Sequence, residues 1–133
     1  MIVGSLDTNI ILRLLVGDVP SQTALAEQLI DATDGQLAVA DLAVIELEYV
    51  LRVNYKFTRA EIADLIEGFL LNPKINSNKS LFAAALPLYL AQPKQSLTDC
   101  LLAMYADLNQ ALPLWTFDKK LALQSDGRAQ LLE

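Results

Sequence analysis

Histidine is absent and cysteine occurs once, at Cys100, in a chain of 133 residues. Without imidazole and with a single thiol, the usual ligand sets for zinc, copper and non-haem iron cannot be assembled within one chain. Ser-His-Asp and Cys-His catalysis are excluded for the same reason. One cysteine allows no internal disulfide, and the neighbours Leu97, Leu101, Leu102 and Met104 suit a buried thiol better than a reactive one. No uninterrupted apolar run reaches the ~18 residues of a spanning helix, and no basic leader precedes a cleavable apolar segment, so the expectation is a cytoplasmic protein without a membrane partner. The five glycines are isolated and form no phosphate-binding loop. Positive charge is also scarce, with 10 Lys and Arg against 16 Asp and Glu and a net charge of −6. That balance argues against broad nucleic-acid binding through a basic surface. The objection weakens if several acids are gathered around bound cations, because those ions then supply positive charge of their own.

These absences leave few chemistries. Acid-base work near neutral pH must come from carboxylates, Lys, Tyr, or a water activated by a hard metal ion, and oxygen ligands favour magnesium or manganese. A hydrophobic fraction of 53% is high for a soluble domain and implies an apolar patch reserved for a partner or a second copy. The length fits one domain over residues 1–133.

Along the chain, Ile2, Val3 and Leu6 form a short apolar run that stops at Asp7-Thr8-Asn9. A carboxylate where a strand leaves an α/β sheet is a site candidate, although Asp is also a good N-cap for the helix expected over Thr8 to Val16. That helix is nearly all apolar and is expected to be mostly buried. Gly17 to Pro20 breaks the pattern and places Pro20 as the first residue of a helix to Thr33, with Ala24, Leu25, Gln28, Leu29 and Ala32 on one face. Asp34-Gly35 reads as a turn, Leu37 to Ala40 as a short strand, and Asp41 as the N-cap of a helix from Leu42 to about Tyr55. In that helix Glu46 has Leu42, Ala43, Tyr49 and Val50 three and four residues away, so it is a carboxylate on an apolar face. A buried carboxylate must pair, protonate or bind a metal, and the choice between a metal and Arg13 or Arg52 is open at this point. Glu48, with Arg52 four residues later, reads as an ordinary exposed ion pair.

Thr58 to Glu61 matches a capping box before Ile62, Leu65, Ile66, Phe69 and Leu70. A brief strand fits Lys74 to Asn78, and a helix fits Ser80 to Ala91, bent at Pro87. Ser96-Leu97-Thr98-Asp99 fits another capping box ahead of Leu101, Leu102, Met104, Tyr105 and Leu108, which would make Asp99 a simple cap residue. Pro113 to Asp118 repeats the opening arrangement of a β-prone run ending at an acid before a helix start. The tail suggests an edge strand over Ala129 to Leu132. Short strands alternating with helices make a single α/β domain, with a short mostly parallel sheet flanked by helices.

The acids Asp7, Glu46, Asp99 and Asp118, with the settings Asp7-Thr8-Asn9, Ile45 to Arg52, Thr98 to Ala103 and Thr116-Phe117-Asp118, resemble in their order a PIN domain. The resemblance covers almost the whole chain and is closest to the small VapC-type ribonuclease toxins of toxin-antitoxin pairs. It implies that Asp7, Glu46, Asp99 and Asp118 are catalytic, metal-binding acids, with Asn9 and Thr116 as polar support. Many relatives carry a further acid where this chain has Ser96. The resemblance also implies a homodimer and a cognate antitoxin.

The chemistry this suggests is a Mg2+- or Mn2+-dependent endoribonuclease. Clustered carboxylates repel, divalent cations relieve the repulsion, and a metal-activated water attacks the phosphodiester. Arg13, Arg52, Lys56, Lys119 and Lys120 lie nearest the motifs in sequence and are candidate phosphate contacts. An unpaired RNA loop, such as one in tRNA, suits sequence-specific reading. Competing readings are a non-catalytic PIN-fold binding or regulatory module, which predicts a lost acid, an aspartyl-nucleophile phosphatase, which needs a second acid where Asn9 stands, and a purely structural partner subunit.

Overall fold

A strand can be followed by a parallel neighbour only through a crossover of a dozen or more residues, usually a helix, and the alternating short apolar runs and helical periods of this chain meet that demand. The computed structural model describes residues 1–133. In chain order the elements are β1 (Ile2–Ser5), α1 (Thr8–Val16), α2 (Pro20–Ala32), β2 (Gln36–Ala38), α3 (Asp41–Val53), α4 (Arg59–Leu70), β3 (Ile75–Asn76), α5 (Lys79–Ala91), α6 (Leu97–Leu108), β4 (Leu114–Thr116), α7 (Lys119–Gln124) and β5 (Ala129–Leu131). Every strand pairing is parallel. The elements gather into two compact units, residues 1–79 and 80–133.

In the first unit β2 lies between β1 and β3. Its Leu37 is buried, whereas β1 is exposed along its length. The turn into β2 requires glycine. Gly35 has φ +113° and a Cβ there would stand 2.6 Å from the Met1 carbonyl oxygen, which accepts the Gln36 N–H at 2.9 Å. Helix α1 starts and stops where expected, closed by Gly17 in the left-handed conformation with its N–H on the Arg13 carbonyl. Thr8, Ile11 and Leu12 are its buried residues, and the rest of its apolar side chains are half-buried. Pro20 takes the first helical turn of α2 as predicted. The predicted face of α2 is wrong, because Ala24, Leu25, Gln28, Leu29 and Ala32 are all exposed. The helix instead turns Thr23, Ala26 and Ile30 inward, and the Thr23 hydroxyl donates to the Arg13 carbonyl at 2.7 Å. Small residues let α2 lie close on α1, and the leucine row is left outside. On α4 the capping box is complete: Glu61 N–H donates to Thr58 Oγ1 at 3.1 Å and Thr58 N–H to Glu61 Oε1 at 2.9 Å. Ile62, Ile66 and Leu70 face inward below it.

The second unit buries Leu81, Phe82, Ala85, Leu86 and Tyr89 of α5, while Pro87 inside that helix is exposed. Helix α6 buries Leu97, Cys100, Leu101, Ala103 and Ala106. Of the apolar run noted after the Ser96 cap, Leu101 is buried, Met104 is half-buried, and Leu102, Tyr105 and Leu108 are exposed. The buried thiol of Cys100 agrees with its sequence setting. Strands β4 and β5 pair from Leu114 with Ala129 to Thr116 with Leu131, as the tail suggested. Arg128 Nε donates to Asp107 Oδ2 at 2.7 Å, and Ala129 N–H donates to Ser125 Oγ at 2.7 Å, so β5 is held to α6 and to the end of α7. No helix is long and apolar enough to cross a membrane.

Candidate functional site

In the first unit, β1 and β2 run parallel as neighbours, so the helices that leave them, α1 and α3, both begin beyond the carboxyl edge of the sheet. Asp7 is the N-cap residue of α1 with extended backbone geometry (φ −75°, ψ 154°) and is exposed. Its carboxylate makes no capping hydrogen bond. The position is that of a cap, and the side chain does not do a cap's work. Asn9, two residues on, is exposed. Asp41 is not the N-cap of α3. Ala40 holds that place and Asp41 lies in the first turn, since the chain enters the helix one residue earlier than its polar side chain suggests.

The facing of α3 is the main correction. Glu46 does lie among Leu42, Ala43, Tyr49 and Val50, but that apolar face opens to solvent, and Glu46 is exposed with it. The buried stripe runs through Val44, Leu47, Glu48 and Leu51. Glu48 is thus a buried carboxylate, 5% exposed, and it accepts Arg52 Nε at 2.9 Å. An arginine four residues on can keep its head near solvent while its bond neutralises a carboxylate below it, which is how Glu48 can sit in an apolar stripe.

The candidate phosphate contacts of this unit differ in availability. Arg13 is committed within the fold: its Nε donates to Gln22 Oε1 at 2.7 Å and its Nη1 to Asp18 Oδ1 at 2.9 Å and Tyr55 Oη at 3.3 Å. The Tyr55 hydroxyl, ahead of Asp18, raises the guanidinium above its ordinary range. Arg52 is held by Glu48, and Lys56 is exposed at positive φ (62°) just beyond α3.

In the second unit the two acids stand at helix starts. Ser96 caps α6, its Oγ accepting the Asp99 N–H at 3.0 Å. The reciprocal bond from the Asp99 carboxylate, present in the α4 box, is not made here, so the half-buried Asp99 side chain is not occupied in capping. Asp118 follows β4 directly and is a true N-cap: its Oδ1 accepts the N–H of Lys120 at 2.9 Å and of Leu121 at 3.2 Å. Thr116 Oγ1 accepts the Asp118 N–H at 2.9 Å and fixes the turn that presents this acid. Lys119 and Lys120 are exposed on the first turn of α7.

Asp7, Asp99 and Asp118 therefore stand at strand exits or helix starts, while Glu46 lies more than one turn into α3. The donor chemistry suits a hard divalent cation: Asp7, Glu46 and Asp99 carry carboxylates with no capping bond or ion pair, and Asp118 uses one oxygen and keeps the other. Within neither unit alone do three acidic or thiol side chains converge on one point. Sequence reasoning missed Glu48 as the buried acid. The signal that could have found Glu48 is the aliphatic spacing Val44, Leu47, Leu51.

Short parallel strands alternating with helices place the chain in the α/β class. The sequence profile of the PIN domain matches residues 5–125, and the chain belongs to that family. PIN domains are generally nucleases and typically use divalent metal ions, and membership supports a nuclease role. No curated protein matches the chain.

Proposed function

We propose that the protein is a Mg2+- or Mn2+-dependent endoribonuclease of the VapC type, with Asp7, Glu46, Asp99 and Asp118 as its metal-binding acids. The observation that carries this reading is that Asp7 and Asp99 occupy capping positions without using their carboxylates to cap, while the same helix-start chemistry at Thr58 and Glu61 is used in full. Carboxylates left open in this way are available to a hard divalent cation. A bound divalent ion would supply a lowered water pKa and a counter-charge for the phosphodiester. The chain's own part is to hold carboxylate oxygens toward that ion and to offer cationic side chains to the RNA, with Lys119, Lys120 and Lys56 the exposed candidates and Asn9 a polar neighbour of Asp7. As the toxin of a toxin-antitoxin pair it would act in the cytoplasm as a homodimer restrained by its antitoxin, on an unpaired RNA loop such as one in tRNA. The exposed leucines Leu25 and Leu29 are consistent with such a protein partner.

The test is cleavage of a mixed pool of tRNA and structured RNA by the wild type and Asp7→Asn, each with magnesium, manganese or EDTA. Cleavage by the wild type alone, and only with metal, is expected. Metal binding by the wild type without cleavage of any RNA in the pool would overturn the proposed activity.

A further inference from the structure

Beyond Glu46, one strip of α3 carries side chains that the proposed metal binding does not use. Leu42, Glu46, Tyr49 and Arg52 succeed one another at intervals of four, three and three residues, the spacing of one helix face, and all are exposed. Behind the strip, buried Glu48 accepts Arg52 Nε at 2.9 Å. The same guanidinium lies over the Tyr49 ring, with Cζ 5.6 Å from its centroid. A carboxylate below the surface thus fixes an arginine whose side chain remains 45% exposed, and the arginine braces one side of a tyrosine that is itself 55% exposed. An ordinary surface arginine loses rotamer entropy whenever it grips a phosphate, and this one has been ordered in advance by its own helix.

We propose that Tyr49 and Arg52 form a docking shelf for an unpaired nucleotide beside the phosphate handled at Glu46, with the base stacking on Tyr49, its neighbouring phosphate on Arg52, and Glu48 as the positioning residue. This rests on the nuclease reading above and deepens it, because it names the side chains beside Glu46 that hold the unpaired strand. At the ordinary helical rise, Tyr49 stands about 4.5 Å and Arg52 about 9 Å along the axis from Glu46, short enough for adjacent nucleotides of one strand to meet all three. A base in a duplex is already covered on both faces, so a stacking shelf of this kind discriminates against paired RNA.

The experiment measures binding of a short fluorescein-labelled oligoribonucleotide of mixed sequence, single-stranded or annealed to its complement, by anisotropy across a salt series. The full-length Asp7→Asn chain serves as the background so that the probe survives. Tyr49→Leu should weaken single-strand binding about 5- to 100-fold while leaving duplex binding unchanged. Arg52→Gln should lower the slope of log affinity against log salt by about 0.7, the signature of one lost phosphate contact on a single strand. Glu48→Leu should lower the slope equally, and Glu48→Gln, which keeps an acceptor for Nε, should restore most of it. A merely structural Glu48 would leave the slope alone. If Glu48→Leu does not fold, the exposed Tyr49 and Arg52 substitutions still decide the matter. Unchanged affinity and slope in both would overturn the shelf, as would an Asp7→Asn chain that binds no single-stranded RNA. Metal-dependent cleavage by the wild type, measured in parallel, tells whether the nuclease reading falls as well.

Discussion

Tyr55 Oη donates to Asp18 Oδ2 at 2.6 Å, joining the end of α3 to the turn between α1 and α2 across 37 residues. Asp18 also accepts Arg13 Nη1, but the tyrosine hydroxyl is the foremost cause that holds its carboxyl below the ordinary range. A carboxyl whose folded pKa is depressed contributes stability above its unfolded value and loses it as pH falls through the folded one. Tyr55→Phe should therefore lower the melting temperature at neutral pH, move the Asp18 titration upward, and converge with wild type in acid. Calorimetry over a pH series and carboxyl-detected NMR measure both effects. A melting difference that stays constant down to acid pH would remove Asp18 from the account.

The capping box at the head of α4 makes a related prediction. The Thr58 backbone N–H is the first cause of the lowered Glu61 pKa, so the box, too, weakens as pH falls through that lowered value. Thr58→Ala should cost about 1 kcal/mol in urea unfolding at neutral pH. Thr58→Ser should be close to neutral, and a cost equal to that of alanine would show that the methyl group matters more than the hydroxyl.

Glu46 and Glu48, two residues apart on α3, should part company in every assay. Glu46 is exposed, so Glu46→Gln should change stability by less than about 0.5 kcal/mol and abolish metal-dependent cleavage. Glu48→Ala opens a hole in the buried stripe and should cost about 2 kcal/mol or more, whereas Glu48→Leu should fall within about 1 kcal/mol of wild type or exceed it. Marked destabilisation by Glu46→Gln would contradict the outward facing of this residue.

Asp118 combines a cap with a proposed ligand, and two substitutions separate them. Asparagine is as good a cap as aspartate, so Asp118→Asn should retain α7 and lose metal-dependent activity. Asp118→Ala should lose the activity and about 1 kcal/mol of stability besides. Retained cleavage by Asp118→Asn, with normal metal dependence, would assign this residue to capping alone.

Punctuation in this chain is legible from residue types alone. Gly17, Pro20, the Thr58–Glu61 box and the Ser96 cap act through local backbone geometry, which sequence specifies directly, and α1 begins and ends at the expected residues. Facing is less legible. Around α3 two apolar stripes compete, Leu42-Glu46-Tyr49 and Val44-Leu47-Glu48-Leu51, each interrupted by one carboxylate, so periodicity alone does not choose between them. On α2 the leucines suggest the inward face, but packing on α1 selects the smaller Thr23 and Ala26. The positions of Asp7, Asp99 and Asp118 are readable because each ends or opens an element, whereas Glu46 lies inside α3 and is marked only by its apolar neighbours. Their freedom from capping is not, since Asp7 and Asp118 have the same sequence setting and only the second uses its carboxylate as a cap.

Strand β5 lies beyond residue 125, where the family match stops. It is nevertheless the hydrogen-bonded neighbour of β4, whose Leu114 N–H donates to the Arg128 carbonyl at 2.9 Å and whose Thr116 carbonyl accepts the Leu132 N–H at 2.8 Å. The shared family span is therefore shorter than the folding unit it belongs to. Trimming the protein to the matched span would unzip the ladder that steadies Thr116 and, through it, Asp118, so a protease nick in this tail would disturb that acid without touching it.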